Sequence, residues 1–148
     1  MPGTLLSSES LEQIRKWQAE CARDHSRCQA ILDHEYVLPR RVLDLHAFGR
    51  KEPDKIRLYE SQGENVPYIC LSHRWTKRMP TTTRANYNAR IQCIHIKTLV
   101  PHFKEAVFLA RFLGIRYIWI DSFCIIQVRY SSLDCLPEYM NQHGISGR

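Results

Sequence analysis

A chain of 148 residues, 44% of them apolar, is long enough for one domain with a buried core, too short for two, and not disordered. No run of about 18 apolar residues occurs, so no membrane span is expected, and MPGTLLSSES has neither the basic nor the apolar part of a secretory leader, which makes a cytoplasmic location the expectation. The net charge of +6 favours anionic partners, a nucleotide or an acidic protein. Its cations are scattered, however, with the densest group at Arg74, Lys77, Arg78 and Arg84 and with Arg90 further on, and no zinc-finger or RNP motif argues for a specific nucleic-acid reader.

Six cysteines, at positions 21, 28, 70, 93, 124 and 135, form no CxxC pair and are read as free thiols. Ser10 and Gln13 fit a capping box for a helix running to about Cys28. Leu11, Ile14, Trp17, Cys21, His25 and Cys28 recur at steps of three and four, which predicts an apolar stripe facing a core. Cys21, His25 and Cys28 have the types and spacing of metal ligands, and His34 or His46 would complete a set. The same face carries Leu11, Ile14 and Trp17, so packing explains all three and no metal is expected.

Pro39 closes this region. Arg41–Leu45 and Ile56–Glu60 alternate in strand fashion around a polar stretch holding Gly49 and Pro53, which predicts an antiparallel hairpin with a long loop. Tyr68–Ser72 is an apolar run with a polar end, a buried strand. Thr76–Asn88 reads as a loop. Leu99–Leu113 is amphipathic, with Pro101 in the first turn and Gly114 just past the end, so it reads as a helix. Arg116–Ile120 is a second buried strand.

Strand, helix and strand in that order predict a right-handed βαβ unit with parallel strands. Ligands in such sheets bind at the carboxyl ends of the strands. Those ends carry Ser72–Trp75 (SHRW) and Asp121–Cys124 (DSFC). The binding candidates are therefore Ser72, Arg74, Trp75, Asp121 and Ser122. Asp121 and Ser122 would also serve as caps for a following helix, and the two roles are compatible.

These blocks resemble the fungal heterokaryon-incompatibility (HET) domain. Tyr68–Trp75 (YICLSHRW) resembles the family's first block, Asn86 its loop asparagine, and Leu99–Val107 (LVPHFKEAV) its helix opening. Leu113–Gln127 (LGIRYIWIDSFCIIQ) resembles its most specific block, and the lead-in Trp17, Cys21, His25, Cys28 and Arg41–Asp44 is similar too. The resemblance covers about residues 11–127. It implies self/non-self recognition, programmed cell death, and a partial doubly wound α/β fold distantly similar to TIR domains, with an N-terminal helix and a hairpin-like lead-in.

The resemblance divides the chain into a lead-in (1–66), a βαβ core (67–127) and a tail (128–148). Some TIR domains cleave NAD with a glutamate, so the resemblance also raises NAD as a substrate. A matching glutamate is expected after Gln127, which leaves Glu138 as the catalytic candidate, although Pro137 fits badly inside a helix. Thr76 replaces a common glycine. After Gln127 the chain departs from the family pattern, and Val128-Arg129 is compatible with a read-through splice signal. The expectation is a truncated, inactive copy that leaves Ile118, Ile120 and Ile125 under-buried.

Overall fold

The structure, a computed structural model, describes residues 7–26, 37–77 and 79–128. Helix α1 (Ser8–Asp24) is followed by strands β1 (Arg41–Asp44), β2 (Lys55–Glu60) and β3 (Tyr68–Leu71). A short helix α2 (Tyr87–Gln92), strand β4 (Ile94–His95), helix α3 (Pro101–Phe112), strand β5 (Tyr117–Ile120) and the single turn α4 (Asp121–Cys124) complete the order.

The five strands form one sheet in the order β3-β5-β1-β2-β4. β3 and β5 pair in parallel, Tyr68 opposite Tyr117 and Leu71 opposite Ile120, with α3 in the crossover, as the βαβ pattern predicts. The hairpin is also present: β1 and β2 pair antiparallel from Arg41↔Glu60 to Asp44↔Arg57. The α/β class holds, but the parallel relation is confined to β3 and β5. The hairpin also joins the same sheet, where β1 pairs β5 antiparallel, Leu43 opposite Ile118. This makes a mixed sheet rather than a parallel one, since β1 runs antiparallel to both of its neighbours.

Side-chain alternation sorts the strands into two faces. Leu43, Leu58, Ile118 and Ile120 join Phe103, Val107 and Ala110 of α3 in the larger core, while Val42 and Tyr117 join Leu38 in a smaller one. Ile118 and Ile120 are thus fully covered, contrary to the expectation, because α3 and the hairpin supply the missing surface; Ile125 is 46% exposed, as expected. Gly114 at φ 75° lets α3 end in a Schellman turn, with Ile115 N–H bonded to Ala110 O at 2.9 Å and Gly114 N–H to Arg111 O at 3.0 Å.

Two arginines tie the hairpin to the crossover. Asp44 is fully buried, and Arg116 grips both its oxygens at 2.9 and 2.8 Å while the His46 N–H adds a third bond at 3.1 Å. A buried carboxylate needs such partners. The bond to Asp44 pushes the Arg116 pKa up. Arg111 donates to the Leu45 and Pro53 carbonyls, fixing α3 to the hairpin loop.

The N-terminal helix differs from expectation. Its cap is Ser7, which accepts the Ser10 N–H at 3.2 Å, one turn earlier than the predicted Ser10 cap. Glu9 then falls in the first turn, where the helix dipole favours an acid. Leu11 is buried, but Trp17 is 61% exposed, so the predicted stripe does not face the core as a whole. At 3.6 residues per turn, Trp17 lies roughly 120° around the helix from Leu11. Docking instead uses Leu11 and Arg15, whose guanidinium sits 4.0 Å from the Phe112 ring centroid and donates to the Phe112 carbonyl at 2.9 Å. Among the described residues no helix is long and apolar enough to cross a membrane.

Candidate functional site

The carboxyl ends of β3 and β5 meet in a cluster centred on Asp121. One carboxylate oxygen lies 2.8 Å from His73 Nε2 and accepts the Ser122 N–H at 2.6 Å. The other accepts the Trp75 indole N–H at 2.7 Å. Both oxygens are therefore engaged, and the carboxylate is held from three directions.

His73 is the hub of an aromatic group. Its side chain is only 4% exposed. It stacks on Trp75 at 5.9 Å between centroids and meets the edge of Phe103 at 4.9 Å; Phe103 in turn meets Phe123 edge-on at 5.7 Å. His73 Nδ1 lies 3.3 Å from the Arg74 carbonyl. Packing and hydrogen bonds together fix the ring, and the fixed ring positions the carboxylate.

The loop before α2 is stitched to α4 through Thr82, which is fully buried. Its N–H donates to the Ser122 carbonyl at 2.8 Å and its hydroxyl to the Phe123 carbonyl at 2.5 Å. Its own carbonyl accepts the Gln127 N–H at 2.6 Å. Asn86 shapes this loop: its side chain accepts the Thr83 N–H at 2.8 Å and donates to the Thr81 carbonyl at 2.9 Å. Arg90 donates to the Thr82 hydroxyl at 2.9 Å and lies 4.2 Å from the Phe123 ring centroid.

Of the sequence-derived candidates, Trp75 and Asp121 come together. Ser122 is beside them but buried, and its hydroxyl has no hydrogen-bond partner among the described residues. Ser72 and Arg74 are exposed next to the cluster, and Arg74 enters it only through its carbonyl. Asp121 lies inside the first turn of α4 and accepts the next N–H, so it supports that turn as well as the cluster. Glu138 lies outside the described residues.

His73 was missed as a site residue. A strand's period of two had the signal: Ile69 and Leu71 pack against the larger core, and the same phase continues to His73 and Trp75, not to Ser72 and Arg74. For the metal ligands considered, His25 Nδ1 lies 3.4 Å from Cys21 Sγ, and Cys28 and His34 fall outside the described residues. Among the described residues no three His, Cys, Asp or Glu side chains gather as a metal site would require. Burial pushes the Cys124 thiol up to about 12, so it is no nucleophile.

Residues 68–140 match the profile of a family described as heterokaryon incompatibility protein (HET). The interval contains the whole Asp121 cluster. It also runs beyond Gln127 to residue 140, which counts against placing everything after Gln127 outside the family. No curated protein and no solved structure matches the chain.

Proposed function

Residues 68–140 belong to the heterokaryon-incompatibility family, and from that premise we propose that this protein acts in fungal self/non-self recognition and programmed cell death, in the cytoplasm, through an anionic partner bound at the Asp121 cluster. The observation that carries the proposal is the occupied carboxylate. Cleavage of an N-glycosidic bond, as in NAD hydrolysis, needs a carboxylate free to face positive charge developing on the sugar. Asp121 spends its oxygens on His73, Ser122 and Trp75 instead. It acts as an anchor for the indole.

What the anchor presents is Trp75, 45% exposed beside the exposed Arg74 and Lys77. A half-exposed tryptophan flanked by cations suits a base over its ring with phosphates on the cations, or an acidic protein segment. Expression of the protein with its natural flanking sequence in fungal cells tests this. Asp121→Ala should abolish killing while leaving a folded protein. Retained killing removes the cluster from function. Release of nicotinamide from NAD by the purified protein, lost in Asp121→Ala, replaces the binding role with a hydrolase.

A further inference from the structure

Arg90 lines a concavity of about 270 Å³ whose apolar walls are Pro80, Ile94, Leu99 and Phe123. None of His73, Trp75 and Asp121 borders it. Among the described residues no carboxylate forms an ion pair with Arg90. Its only hydrogen bond there runs to the Thr82 hydroxyl, and the Phe123 ring lies under the guanidinium. A guanidinium carries five N–H donors in a planar fork. Most of that fork is unspent.

The neighbouring groups decide which anion fits. The Thr82 hydroxyl, behind Arg90, gives its proton to the Phe123 carbonyl, and the Thr98 hydroxyl, on the wall, gives its proton to the His95 carbonyl at 2.7 Å. Neither has a proton left for a ligand. A dianionic phosphate draws on several donors at once. One planar fork between apolar walls, with Cys93, His95 and Thr98 at the edge, matches one planar carboxylate with an apolar body. We propose that this concavity binds a small monocarboxylate, its head on the Arg90 fork and its body against Pro80, Ile94, Leu99 and Phe123. Burial holds the Arg90 pKa down to about 10, as desolvation without a counter-ion does, and a bound carboxylate supplies that counter-ion.

The test is a titration of the isotope-labelled full chain with benzoate, followed at the Arg90 Nε–H resonance by NMR. Benzoate should shift that resonance saturably. Benzamide, the neutral isostere, and inorganic phosphate should each bind at least about tenfold more weakly, tenfold being about 1.4 kcal/mol. Arg90→Lys keeps the charge and loses the fork, and should weaken benzoate by a similar factor. The proposal is overturned if the resonance does not saturate, if benzamide or phosphate binds as well as benzoate, or if Arg90→Lys binds benzoate unchanged. The wild-type resonance decides the matter alone should the variant fail to fold.

Discussion

Removing the Trp75 N–H and neutralising Asp121 should each destabilise the protein, and together they should cost less than their sum. Trp75→Phe deletes one donor to the carboxylate and keeps a ring for His73 to stack on. Hydrogen bonds to charged groups are worth about 1.5–3 kcal/mol. Trp75 is 45% exposed and water can replace its bond, so about 1 kcal/mol is expected. Asp121→Asn keeps one acceptor oxygen and turns an amide NH2 toward one of three donors; with the side chain 29% exposed, about 2 kcal/mol follows. In the double variant the indole bond is already absent, so a coupling of about 1 kcal/mol should appear. Urea unfolding measures it: at a slope of about 1–3 kcal/mol per molar, 1 kcal/mol moves the midpoint by roughly 0.5 M. Trp17 and Trp119 report fluorescence in every variant. Effects that add to within about 0.3 kcal/mol would refute the claim that the indole and carboxylate form one unit.

Thr82→Val keeps the shape of a buried strut and removes its hydroxyl, leaving the Phe123 carbonyl and Arg90 short of a partner; a loss of about 1–3 kcal/mol in urea unfolding is expected, and a change below about 0.5 kcal/mol would show the hydroxyl to be idle. The Tyr59 hydroxyl, which donates to Glu64, holds the Glu64 carboxyl below its usual 4.5. That contribution to stability is present above pH 4.5 and is lost as pH falls through the lower folded value, so the urea midpoints of wild type and Glu64→Gln should differ at pH 6 and draw together progressively as pH falls below 4.5. Alkylation with iodoacetamide at pH 8, read by mass spectrometry, should label the exposed Cys70 in the folded protein and spare the buried Cys124 until urea is added; equal labelling in native buffer contradicts the burial.

The parts of the fold that were legible in the sequence are those with local signals. β3 and β5 are apolar runs with polar ends, and α3 carries Pro101 at its start and Gly114 past its end. β4 is two residues long and α2 is six residues without a side-chain cap, so neither offers enough turns or alternations for a period to emerge. The stripe on α1 has a good helical period, yet Trp17 is exposed. Periodicity specifies which residues share a face. It does not specify how much of that face finds a neighbour: Leu11 is buried and Arg15 reaches Phe112, while Trp17 stays exposed.

The candidate site divides along the same line. Asp121 and Trp75 were legible because strand ends in a βαβ unit point to one edge, a rule of topology. The choice among adjacent residues there needed the strand's phase carried past its hydrogen-bonded end, to His73. Thr82, Arg90 and Asp44 left no local trace. Thr82 meets Phe123 across 41 residues of chain, and Asp44 meets Arg116 across 72. Such pairs exist only once the sheet has formed, and their cost is what makes them specific: a buried carboxylate or hydroxyl is tolerated in one register and penalised in the others. The α4 turn follows from this. It is four residues long, far below the length at which a helix is stable by itself. It persists because Thr82 donates to its Ser122 and Phe123 carbonyls, accepts the Gln127 N–H just beyond it, and Asp121 pins its start. The geometry of Asp121 therefore depends on a loop some forty residues upstream.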